Sequence, residues 1–192
     1  MTSSDLIALP ADAKERAAAR TGTALDGTGP DEARTIRVGL ACAEFNGGIT
    51  DRLLTGALDA LEEAGCDPAD TIVAWVPGAF ELPVVARELA RSGAVDAVIC
   101  LGAVIRGETG HYDFVAGECA AGVQRVQLDT GLPVVFGVLT TDTLDQALDR
   151  SEEGPSNKGR EAALTALQTA RLLGSITKAA KGQPVGFSAA DR

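Results

Sequence analysis

From Thr35 onward, short apolar runs alternate with longer amphipathic stretches along the whole chain. IRVGLACA (36–43), TIVAWV (71–76), AVDAVICLGAV (94–104) and LPVVFGVLT (132–140) have the length and boundaries of buried strands. ITDRLLTGALDALEEAG (49–65) sets Leu53, Leu54, Ala57, Leu58 and Leu61 on one helical face and reaches a stop signal at Gly65. ELPVVARELARSG (81–93) carries Pro83 in its first turn, where no partner is needed for an amide proton. HYDFVAGECAAGVQRVQLDTG (111–131) predicts a third helix despite Gly117 and Gly122. Each of these costs helix propensity, which points to close packing or to a neighbour's backbone. DTLDQALDRS (142–151) predicts a short helix with an Asp or Thr cap, and a longer helix spans Gly159 to Lys178. Repeated strand–helix units predict an α/β fold: a four-stranded parallel sheet, covered on both faces and wound by right-handed crossovers.

Residues 1–34, rich in Ala, Asp, Gly, Thr and Pro, read as a flexible arm, residues 35–178 as one α/β domain, and 179–192 as a frayed tail. The opening MTSSDLIALPADAKER is too short in its apolar part, and too interrupted by charge, for a signal peptide or a spanning helix, so the reading is cytoplasmic. A formal charge of −10 without a basic cluster argues against gripping nucleic acid or anionic membranes. Cys42, Cys66, Cys100 and Cys119 form no C-x-x-C pair, and only one histidine is there to help bind a metal, which argues against zinc. They read as small buried thiols, and no metal is expected.

Ligands on parallel sheets bind beyond the carboxyl ends of the strands, which directs attention to four loops. AEFNGG follows the first strand, PGAFE the second, GAVIRGETGH the third and LTTDT the fourth. None carries G-x-x-x-x-G-K-[ST] or G-x-G-x-x-G, which argues against a nucleotide triphosphate or a dinucleotide. Phe45 and Asn46 offer an apolar plane beside an amide, suited to a heteroaromatic ring, although an ordinary core phenylalanine fits equally. In RGETGH the amides of Glu108, Thr109 and Gly110 would open the third helix unpaired and make an anion site, with the Glu108 side chain turned to solvent. The rival is a plain helix start capped by Thr109. His111, the only histidine, sits next to that start as a candidate base. Arg150 and Lys158 could complete an anion pocket, or be solvated surface charges.

FN at 45–46, PGAFELP at 77–83, GAVIRGETGHYDFV at 102–115, FGVLTTDTLDQALDR at 136–150 and NKG at 157–159 together resemble lumazine synthase, in order and in register from about Thr35 to Lys178. The resemblance implies a three-layer, flavodoxin-like αβα sandwich. It implies a cofactor-free and metal-free transferase of riboflavin biosynthesis. Such an enzyme condenses 5-amino-6-(D-ribitylamino)uracil with 3,4-dihydroxy-2-butanone 4-phosphate to 6,7-dimethyl-8-ribityllumazine. Carried over by residue, Phe45 would stack on the pyrimidine with Asn46 beside it. Ala79, Phe80 and Glu81 would hold the same substrate, Glu81 at the ribityl hydroxyls, and Ala103, Val104 and Ile105 would line the pocket through their backbone. Glu108 and Thr109 would take the phosphate, and His111 would move the proton. Phe136, Arg150 and Lys158 would come from an adjacent subunit, Arg150 to the phosphate and Lys158 to the pyrimidine edge.

The resemblance further implies a homo-pentamer with shared sites, with riboflavin synthase as a candidate partner. Twelve pentamers form a 60-subunit icosahedral shell in some members of the family. The compact RSEEGPSNKG turn favours a shell, and an isolated or paired pentamer stays open. Gly110 stands where relatives often carry a hydroxyl or a proline. Three rival readings are an archaeal-type riboflavin synthase, a catalytically inert shell protein and a flavodoxin-like binding module. The absent phosphate loop after strand one weighs against the last.

Overall fold

The computed structural model describes residues 36–181, so the arm at 1–34 and most of the tail at 179–192 lie outside the described residues. Residues 36–170 belong to one compact unit, and residues 171–181 to another. In chain order the elements are β1 (Val38–Ala43), α1 (Gly47–Glu63), β2 (Thr71–Val76), α2 (Leu82–Arg91), β3 (Ala97–Ile105), α3 (His111–Thr130), β4 (Val134–Thr141), α4 (Leu144–Ser151) and α5 (Lys158–Ala180). Single 3-10 turns, Pro68–Asp70 and Ala79–Glu81, precede β2 and α2.

All strand pairings are parallel, in the order β2-β1-β3-β4. Two apolar layers separate the sheet from its helices. On one face Val38, Leu40 and Cys42 of β1 and Ile99 and Leu101 of β3 meet α1, α4 and α5, through Leu53, Ala147 and Leu167 among others. On the other, Ala41, Val98, Cys100 and Val138 meet α2 and α3, through Leu82, Ala86, Cys119 and Val123. The fold is therefore a three-layer α/β sandwich of flavodoxin-like type. The middle strands β1 and β3 are buried on both sides, as expected where helices cover both faces.

Local chemistry sets the element ends. Gly65 adopts φ 81°, its N–H meets the Glu62 carbonyl, and the Cys66 N–H reaches back to Leu61, closing α1 where the sequence predicts a stop. Thr143 caps α4 by accepting the Gln146 N–H, while Gln146 accepts the Asp142 N–H. Asn157 caps α5 by accepting the N–H groups of Gly159 (2.9 Å) and Arg160 (3.1 Å). At the amino edge of the sheet, Arg37 grips Asp96 with its backbone N–H and its guanidinium, fixing β1 against β3.

The two helical glycines of α3 separate. A Cβ on Gly122 would lie 2.7 Å from Pro83 Cγ, so α2 and α3 touch here through glycine and proline. Gly117 faces open space. The edge strand β2 differs from its neighbours: Ile72, Val73 and Trp75 are 38%, 39% and 47% exposed, which leaves apolar side chains uncovered on both faces.

Candidate active site

The loops after β1, β2 and β3 are stitched together at the carboxyl edge. The Glu44 N–H donates to the Val76 carbonyl at 2.8 Å and the Phe45 N–H to the Pro77 carbonyl at 3.0 Å, laying the first loop against the second. Asn46 Nδ2 donates to the Ala103 carbonyl at 2.8 Å, tying the same loop to β3. Asn46 is the one non-glycine residue with positive φ among the described residues, at 59°. Asparagine tolerates this left-handed turn, and α1 begins directly after it. Its amide is thus partly occupied in building the site, and the Ala103 carbonyl is its partner.

β1 leads into α1 on one face and β3 into α3 on the other. The carboxyl ends of these adjacent strands are the topological switch point, the place where open α/β sheets bind ligands. Phe45 stands beside it with 72% of its surface exposed, and Phe80 follows from the second loop at 57%. These are two aromatic rings left in water, which answers the sequence alternative of an ordinary core phenylalanine at position 45. Ala79 is buried, and Glu81 ends the 3-10 turn, its carboxylate folded over Gly78, where a Cβ would meet Oε2 at 3.2 Å.

The third loop opens α3 where the sequence predicts, but without the threonine cap that was the rival reading. The helix begins at His111 itself, with Gly110 as its cap residue and no side-chain cap bond, so Thr109 does not cap it. The Asp113 N–H meets the Gly110 carbonyl at 3.2 Å, and the free amides of the first turn lie one to two residues beyond Glu108 and Thr109. Glu108, Thr109, Gly110 and His111 are all exposed. Val104 and Ile105 are half-buried at the end of β3. Just before the loop, Arg106 donates through Nε to Asp142 at 2.9 Å and through Nη1 to Asp113 at 3.1 Å. Its guanidinium lies 4.0 Å from the centroid of the Tyr112 ring. The bond to Asp142, and after it the bond to Asp113, raises the guanidinium above its ordinary pKa.

Three predicted site residues stand apart from this edge. Phe136 is paired with Cys100, well below the last β3–β4 pair, on the edge strand β4. Arg150, on α4, donates to the Gln146 carbonyl at 2.9 Å, and Lys158, at the start of α5, binds both carboxylate oxygens of Glu161 at 2.7 Å. α4 and α5 cover the face of the sheet opposite α3, so neither cation is on the helix layer that carries His111.

Residues 35–174 match the family model of 6,7-dimethyl-8-ribityllumazine synthase. The chain belongs to that lumazine synthase family. Membership supports a role in riboflavin biosynthesis and implies a transferase-type enzyme that takes small substrates and works as an oligomer. No described helix is long and apolar enough to cross a membrane. Among the described residues of this lumazine synthase homologue, no group of three or more His, Cys, Asp or Glu side chains could hold a metal.

Within the NKG motif the sequence singles out Lys158 alone, yet the flanking residues shape the fold. Asn157, 2% exposed, donates to the carbonyls of Arg52 (3.2 Å), Ser151 (3.0 Å) and Glu152 (3.1 Å). A Cβ on Gly159 would collide with the Leu53 carbonyl, so α5 crosses α1 backbone to backbone. A short polar residue immediately before a helix is a cap signature, and it was the available clue to Asn157.

Proposed function

We propose that the chain is a 6,7-dimethyl-8-ribityllumazine synthase. It condenses 5-amino-6-(D-ribitylamino)uracil with 3,4-dihydroxy-2-butanone 4-phosphate, releasing phosphate and water. The observation that carries this reading is the convergence of Phe45, Asn46 and the Ala79–Glu81 turn with β3 at the switch point, alongside the uncapped helix start that bears His111. Phe45 stacks on the pyrimidine. Phe80, Glu81 and the backbone of Ala103, Val104 and Ile105 hold its edge and the ribityl chain. Amides near Glu108 and Thr109 take the phosphate, where the helix dipole favours an anion.

The mechanism rests on positioning. The pyrimidine's amine attacks the ketone carbon, and loss of water gives an imine. A proton leaves the adjacent carbon, phosphate departs, and the ribityl-bearing amine closes on the remaining carbonyl with loss of a second water. Holding amine and ketone together supplies most of the acceleration, and His111 carries the proton.

The site is completed by a second copy. Arg150 and Lys158 sit on the helix layer opposite His111, so a neighbouring chain is the simpler source of cations for the phosphate and the pyrimidine edge. Phe136 joins them from that chain's β4. A pentamer fits the bare apolar side chains of β2 and those of α3, Phe114 and Leu128, both 71% exposed.

The test is purified protein with both substrates, followed by lumazine absorbance and phosphate release, plus the mass of the assembly. Lumazine and phosphate in equal amounts, from a pentamer or a multiple of it, support the reading. Riboflavin formed from the lumazine alone would assign the archaeal-type activity instead, and intact particles without turnover an inert shell.

A further inference from the structure

The loop proposed to cradle phosphate, Gly107–Gly110, is exposed throughout, and both of its glycines face open space. α3 begins immediately after it with no side-chain cap. Packing therefore does little to hold this loop, although a proton-transfer group must be placed within a few tenths of an ångström. What closes it is the residue on its near side. Arg106 N–H donates to the Thr141 carbonyl at 2.9 Å, fixing the end of β3 to β4. Its guanidinium then reaches across the loop to both residues that follow His111, lying over the Tyr112 ring at 4.0 Å and donating to Asp113 at 3.1 Å. Nε holds Asp142, in the loop before α4, at 2.9 Å.

We propose that Arg106 is a positioning residue: a clasp that spans the Gly107–Gly110 loop, holds Tyr112 and Asp113, and thereby fixes His111 at the helix start just before them. The clasp rests on the functional reading above for what His111 does, but not for the ordering of the loop. Two carboxylates already engage Arg106 through Nε and Nη1 and offset its charge, which suits it to ordering the loop rather than to gripping the phosphate. The side chains of Arg106, Asp113 and Asp142 are 43%, 64% and 68% exposed, and exposed pairs of this kind add little to stability. Their contribution is geometric: a planar fork joins three segments at once and, unlike a lysine, also stacks on a ring.

The test uses the full chain with Arg106→Gln, Arg106→Lys, Asp142→Asn, His111→Ala and the Arg106→Gln/His111→Ala pair. Arg106→Gln is expected to lower kcat by about tenfold or more, with the KM for the pyrimidine within about twofold of the parent. Arg106→Lys should recover only part of that loss, and Asp142→Asn should show the same pattern more weakly. In the His111→Ala background the Arg106→Gln loss should shrink to about threefold or less, since both act through one group. Amide exchange of residues 107–113 should quicken by about tenfold while the central strands stay protected.

An undiminished Arg106→Gln loss without His111, or unchanged exchange at 107–113, overturns the clasp. If Arg106→Gln fails to fold, Asp142→Asn decides by the same two readouts. If the parent protein does not condense the two substrates, the functional reading fails, and the exchange comparison alone still decides whether Arg106 orders the loop.

Discussion

His111 is the first residue of α3 and lies in the open, so replacing it should leave the fold intact. In the proposed reaction His111→Ala is expected to slow turnover by about 10²–10⁴-fold at most without abolishing it, because base assistance has that size and positioning does the rest. A folded variant with no measurable turnover would contradict this division of labour. Asn157 is the opposite kind of residue. Asn157→Ala leaves buried carbonyls and two helix amides without their partner, and should cost about 2–3 kcal/mol in denaturant unfolding. A loss below about 0.5 kcal/mol would mean that water replaces the side chain. Asn157 escapes a sequence reading because one of its partners, Arg52, lies 105 residues away.

At the scale of elements, α3 offers a paired test. Gly122→Ala should destabilise the protein by about 1–3 kcal/mol, since its Cβ would press on Pro83. Gly117→Ala, with open space around it, should stabilise by about 1 kcal/mol through helix propensity. Thermal unfolding of both variants reads the difference. A loss at Gly117 as well would place another chain's backbone against that face. The same helix shows what was legible in advance. Its apolar periodicity located it, and its glycines announced a close approach, but only the fold separates the one that packs from the one that does not. TIVAWV is β2 to the residue, because Asp70 and Pro77 bound it and all but Ala74 are β-branched or aromatic. The start of α3 at His111 was legible as well, but the nature of its cap was not. Local pattern favours threonine, whereas the chain runs through Gly110 into His111 with no side-chain cap. The clasp by Arg106 was invisible for a different reason: its partners are 7 and 36 residues away, and no periodicity links them.

For the molecule as a whole, the thiols set a limit on alkaline stability. Burial pushes Cys42 and Cys119 up to about 12 and Cys100 up as well, from an ordinary value of 9.0. The folded state thus keeps protons that the unfolded chain releases. Below the ordinary value the thiols have no effect on stability. Above it stability falls, by up to about 1.4 kcal/mol per pH unit for each such thiol. Unfolding midpoints measured from pH 8 to about 11 should decline with that slope, and alanine in place of Cys119 should make the decline shallower. A flat profile would mean that the buried thiols ionise as readily in the folded protein as out of it.

Trp75 is the only tryptophan in the chain, and it sits on β2, the sheet's bare edge. Its emission is therefore a built-in gauge. Blue fluorescence at high concentration that turns red on dilution would record the moment at which that strand loses its cover.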